Sequence, residues 1–122
     1  MVWQRDTMNK NIKKITVRFP KRLKAEMQAA LIKSGHGLHG KSRWLKEAII
    51  TLLSKPSFVD YVEQGININQ AELTDIEAFY LDKETQGLLQ EAFVAVRTKH
   101  PLFEGVQSAI VRAAVVYKLM LR

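Results

Sequence analysis

The chain has 122 residues, a net charge of +7 and no cysteine. That length suits one compact domain with a modest core, and the missing thiols exclude disulfides, thiolate metal sites and cysteine nucleophiles. No run reaches the roughly 18 apolar residues of a membrane span. The charge is unevenly spread. Residues 1–55 carry thirteen Lys or Arg against three Asp or Glu, a net of +10. Residues 56–122 carry six against nine, a net of −3. A basic half attracts nucleic acid and anionic membrane through the same long-range field. Membrane binding also needs a strongly apolar face opposite the charge. The apolar faces here read as core, so nucleic acid is favoured.

Residues 1–12 have no long apolar stretch and do not resemble a signal peptide. They are expected to form a flexible basic arm, in which Trp3 is a surface or partner anchor. KKITVRF follows at 13–19. Lys14, Thr16 and Arg18 fall on one face of a strand, and Ile15, Val17 and Phe19 fall on the other. That alternation is what a half-buried strand requires. The polar face carries groups that read base edges in a major groove. An ordinary edge strand with a wet basic face has the same pattern, so both readings stand at this point.

Pro20, at or near the first helical position, opens a helix to about Lys33 with Leu23, Met27, Ala30 and Leu31 on one face. SGHGLHG at 34–40 breaks it. A second helix, from about Lys41 to Ser54, places Trp44, Leu45, Ala48, Ile49, Leu52 and Leu53 on its apolar face before Pro56. FVDYV at 58–62 is expected to make a helical turn over the core, and the rest of 56–75 a linker.

The order then repeats. A short strand is expected at about 77–81, with Phe79 and Leu81 inward and Ile76, Ala78 and Tyr80 outward. Glu77 falls where an inner apolar residue belongs, so this strand is expected to be short or slipped. Asp82 is placed to cap a helix carrying Leu89, Ala92, Phe93 and Val96. A break at 99–105 precedes a last helix from about Val106, with Ile110, Val111, Ala114, Val115 and Leu119. Residues Pro20 to Leu31 map onto Asp82 to Phe93 at an offset of 62, and Ser42 to Leu53 onto Ser108 to Leu119 at 66. An internal repeat solves a packing problem. One strand and two helices bury little alone, whereas two such units pair their strands and share a core.

ITVRFPKRL, SRWLKEAI at 42–49 and SAIVRAAV at 108–115 together resemble the ribbon-helix-helix family of MetJ, Arc and CopG repressors. The tandem order is similar to the TraY-like single-chain form. The resemblance implies an α+β, mostly helical fold: a two-stranded antiparallel ribbon with four main helices in one core. Its organisation would be an arm at 1–12, a first unit at 13–55, a linker at 56–75 and a degenerate second unit at 76–122. By position, the resemblance makes Lys14, Thr16, Arg18 and Tyr80 base-contacting residues. It assigns phosphate to Gly40, Lys41 and Ser42, with Arg43, Lys21, Arg22 and Lys24 beside them, and to Gln107 and Ser108 in the second unit. Free amides and the partial positive charge of a helix N-terminus suit that role.

The function so implied is sequence-specific binding of double-stranded DNA by a transcriptional regulator, usually a repressor. A relaxosome accessory role near a plasmid transfer origin is the alternative. Expected partners are DNA, further copies of the chain side by side, and a relaxase or other protein through the second half, with no membrane. The expected location is the bacterial cytoplasm, on nucleoid or plasmid. A protein-interaction module remains open as a rival. His36 and His39 lack a third ligand for zinc, and His100 reads as a turn residue. No histidine, carboxylate and serine set has a catalytic spacing. The chain is therefore expected to be no enzyme and to need no cofactor or metal.

Overall fold

The computed structural model describes residues 11–36, 40–65 and 70–121. Residues 1–10 of the expected arm at 1–12, with Trp3, His39 in the first turn, and ININ at 66–69 lie outside the described residues. The elements in chain order are β1 (Lys13–Phe19), α1 (Lys21–Lys33), α2 (Lys41–Leu53), α3 (Phe58–Glu63), a 3-10 turn at Gln70–Glu72, β2 (Asp75–Leu81), α4 (Lys83–Lys99) and α5 (Val106–Met120). The fold is thus mostly helical, with one two-stranded antiparallel sheet.

The strands show the repeat most clearly. Adding 62 to the bounds of β1 gives the bounds of β2. The antiparallel register pairs Lys13 with Leu81, Thr16 with Ala78 and Phe19 with Asp75. Thr16 therefore pairs with its own counterpart. A pseudo-two-fold axis passes through that pair, relating Arg18 to Tyr80 and Lys14 to Ile76.

Alternation decides what the ribbon buries. Ile15, Val17, Phe19, Phe79 and Leu81 point inward and are buried, and Phe19 meets Phe79 edge-on at 6.1 Å between ring centres. Beneath them lie Met27 and Leu31 of α1, Leu45 and Ile49 of α2, Leu89 and Val96 of α4, and Ile110 and Val115 of α5, all in one hydrophobic cluster. Neither half has such a core without the other. The short helix α3 adds buried Val62, and its Tyr61 ring lies 4.9 Å from that of Tyr117. Trp44 is buried as expected, with the Lys118 ammonium 5.5 Å from its ring centre.

The second strand corrects an expectation. It is neither short nor slipped, because β2 spans seven residues in unbroken register with β1. Glu77 stays on the inner face at 9% exposure. Its carboxylate accepts from Lys41 at 3.1 Å and lies 3.3 Å from the Lys24 ammonium. Two cations offset the cost of placing a charge there, a cost that otherwise drives such a group into water.

Pro20 is the N-cap of α1, in extended conformation, and its carbonyl accepts from the Lys24 amide at 3.1 Å. Asp82 caps α4. Its carboxylate accepts from the Thr85 amide at 2.8 Å and the Thr85 hydroxyl at 2.6 Å, and its other oxygen accepts from Lys46 at 3.0 Å. The Thr85 hydroxyl and amide, then Lys46, hold this carboxyl down at about 2. Asp82→Ala is expected to cost about 1 kcal/mol, the usual worth of a cap. A depressed carboxyl stabilises the fold fully above its ordinary value near 4 and loses that contribution as pH falls towards 2. The gap between wild type and Asp82→Ala in urea titrations should therefore close over that acid window and persist at pH 7.

Candidate nucleic-acid interface

The outward face of β1 is the start of the site. Lys14, Thr16 and Arg18 are all exposed. On β2, Ile76 and Tyr80 are exposed and Ala78 is half-buried. Across the ribbon Lys14 faces Tyr80, Thr16 faces Ala78 and Arg18 faces Ile76. The four base-contacting candidates therefore share one solvent-facing surface.

A helix N-terminus abuts each edge of that ribbon. On the β2 side, the Ser42 hydroxyl accepts from the Tyr80 amide at 2.8 Å, which satisfies an edge N–H of the sheet. On the β1 side, the Arg112 guanidinium donates to the Arg18 carbonyl at 3.0 Å. Gly105 and Ser108 of α5 line an open cleft with Thr16, Arg18 and Ile76. Both helices begin at glycines for identifiable reasons. A Cβ at Gly40 would lie 2.8 Å from His36 Cβ, and Gly105 sits at φ 68°, in the left-handed region. Neither helix start has a side-chain cap. Gln107 and Ser108 are half-buried at the start of α5, and their amides belong to the first turn. Such uncapped first-turn amides are the groups that hold anions.

The cationic candidates divide into two groups. Among the described residues Lys14, Arg18, Lys21 and Arg43 are exposed and have no acidic group within 4 Å. Arg22 is exposed and pairs with Glu26 one turn on, at 3.2 Å. Lys24 and Lys41 differ, because their ammonium groups are drawn to Glu77, and Lys41 also lies 5.4 Å from the Phe79 ring centre. Lys24 is 3.8 Å from Asp75 as well. They hold the strand to the helices and project no free charge. In the sequence, the signal for their partner is Glu77 itself, a charge at an inward strand position.

Two residues outside the candidate set help shape the site. Lys46 bridges α2 to Asp82 and to Glu84 at 3.4 Å, tying the first unit to the second. Arg112 occupies the equivalent place in the second unit, 66 residues on, and reaches the backbone of β1. Burial pushes its guanidinium down from its ordinary value, with no acid supplying the opposite effect. Their signal in the sequence is the 66-residue offset itself, which pairs Lys46 with Arg112, one cation on each of the two helices.

The two described histidines lie against polar neighbours. His36 Nδ1 is 2.7 Å from the Ser34 hydroxyl and its Nε2 is 3.5 Å from Glu47. His100 Nε2 is 3.2 Å from Glu63. No group of three or more metal-ligating side chains is assembled among the described residues. No helix among them is long and apolar enough to cross a membrane.

This topology, an antiparallel ribbon followed by packed helices, is consistent with the ribbon-helix-helix fold in general. Comparison with protein-family models, with curated proteins and with solved structures gave no match in any of the three.

Proposed function

We propose that the chain binds double-stranded DNA by laying its ribbon in the major groove. One observation carries the reading: Lys14, Thr16 and Arg18 stand exposed on a single ribbon face, with a helix N-terminus at each edge. B-form major grooves admit a two-stranded ribbon, and their base edges present acceptors to Arg and Lys. Gly40, Ser42, Arg43, Gln107 and Ser108 would hold phosphates on either side and fix the register. Lys21 and Arg22 would reach neighbouring phosphates. A-form RNA does not fit, since its deep major groove excludes a ribbon. No catalytic step or cofactor belongs to this reading.

The biological role that follows most directly is a transcriptional regulator, a repressor acting on bacterial DNA in the cytoplasm. The tandem ribbon, built from one polypeptide, favours a second version. There the chain resembles TraY-like proteins and assists a relaxase near a transfer origin. A small module makes a small interface, so tight binding calls for copies side by side. Footprinting at about 150 mM salt, on DNA upstream of the chain's own gene and on any nearby transfer origin, tests the reading. A protected site of defined length supports it and its position separates the two roles. Salt-sensitive smearing without protection rejects specific recognition.

The phosphate contacts have their own signature. Arg43→Ala is expected to weaken specific and random duplex alike and to shallow the slope of log K against log salt by about 1. Anisotropy titrations at several salt concentrations measure this. A loss confined to one sequence would reassign Arg43 to base readout.

A further inference from the structure

The outward face of the ribbon is not chemically symmetric, although its backbone nearly is. The axis through Thr16 and Ala78 relates Lys14 to Ile76 and Arg18 to Tyr80. A ribbon made of two identical strands would repeat the same residues at both ends. Here one end presents Lys14 opposite Tyr80, and the other presents Arg18 opposite Ile76. Each end has one cation, but at different register positions. Within the paired strands only the Arg18–Ile76 end carries a large aliphatic side chain on this face; Ile12, 44% exposed, precedes β1 beside Tyr80 at the other end. Ile76 is 56% exposed on this face, and Tyr80 at the other end is 55% exposed.

An aliphatic group on a DNA-facing surface has one specific counterpart. In the major groove only thymine offers a methyl, while every other distinguishing group is a hydrogen-bond donor or acceptor. Ile76 has no donor or acceptor to offer. Arg18, directly across the ribbon, has a fork that matches guanine O6 and N7. Resting on the DNA reading above, we propose that the ribbon reads a non-palindromic site with two unlike halves. The Arg18–Ile76 end takes a guanine together with a neighbouring thymine methyl under Ile76, and the Lys14–Tyr80 end, which pairs an ammonium with a phenol, reads a different pattern. The asymmetry also orients the chain on its site, so that side-by-side copies run head to tail on repeated sequences.

The test is selection of duplexes from a random library by the full chain, followed by replacement of each selected thymine with deoxyuridine. That replacement removes the methyl and leaves every hydrogen-bonding group. The expected site lacks dyad symmetry. One uracil position weakens binding about fourfold, the worth of one buried methyl. It lies beside the guanine whose recognition is lost in Arg18→Ala. In Ile76→Ala, whose side chain is exposed and whose fold is checked by circular dichroism, that uracil effect disappears. A dyad-symmetric site, indifference to every uracil, or a uracil effect unchanged in Ile76→Ala each overturns this inference and leaves DNA recognition standing. Failure to select any sequence overturns the DNA reading and this inference with it.

Discussion

Arg18→Ala is expected to weaken binding to the specific duplex by roughly 1–3 kcal/mol, a factor of roughly 5 to 150, and to leave random duplex nearly unaffected. The side chain is exposed and has no ion-pair partner among the described residues, so its removal leaves no buried group unpaired. The fold keeps its contacts at this position, because the ladder pairing with Ile76 and the bond from Arg112 both use the Arg18 backbone and not its side chain. Stability and binding are therefore separable here. Competition titrations with specific and random duplex measure the ratio. An equal loss on both would place Arg18 on phosphate and remove it from readout.

Replacing Lys24 and Lys41 together with alanine is expected to cost the fold about 3 kcal/mol, the lower end of what breaking a buried pair costs. The Glu77 side chain is 11% exposed, and those of its two cations are 26% and 24%. Without them the carboxylate is left on the inner face of the ribbon with no cation to offset its desolvation. Some water reaches the lysines, which keeps the cost below that of a fully dry site. A loss of this size is a large share of the stability of a small domain, roughly 5–15 kcal/mol. Either single substitution should cost much less, since one cation remains. Glu77→Ile supplies the converse. The counterpart of Glu77 under the pseudo-two-fold is Ile15, which is buried at 5%, so an aliphatic group suits the position. The two lysines left behind are 26% and 24% exposed, so their heads can turn into water along their apolar stems and the exchange should cost little. It also releases the Lys41 ammonium towards solvent, while Lys24 keeps Asp75 at 3.8 Å, and should steepen the salt dependence of DNA binding. Urea denaturation of the four variants measures the stability changes. A double variant as stable as wild type would mean that water alone solvates Glu77.

Much of this was legible in the residues, for reasons that differ by element. The strand at 13–19 was readable because alternation is a local property, and each inward residue of β1 is buried. The helices were readable because their apolar positions recur on one face and their ends carry Pro20, Gly40, Asp82 and Gly105. Glu77 misled the reading of β2. A period-two pattern with a charge at an inward place looks broken, and its two cations lie 53 and 36 residues away in sequence. No local pattern reports such a pairing. For the same reason Lys24 and Lys41 read as free positive charge. Their side-chain type and position match Lys21 and Arg43, and only the direction of each side chain separates them.

By itself, then, the sequence determined the element order, the inward faces and the internal repeat, because these follow from hydrophobic periodicity and helix-end chemistry within short windows. Only the tertiary structure decided the ribbon register. The pairing of Thr16 with Ala78 sets which side chains share an end of the outward face. It also decided which cations face solvent, since Glu77 captures two of them from across the fold. Both are long-range outcomes. A register slip of one residue would turn every side chain of a strand over, and burying Phe19 and Phe79 on one core is what forbids it.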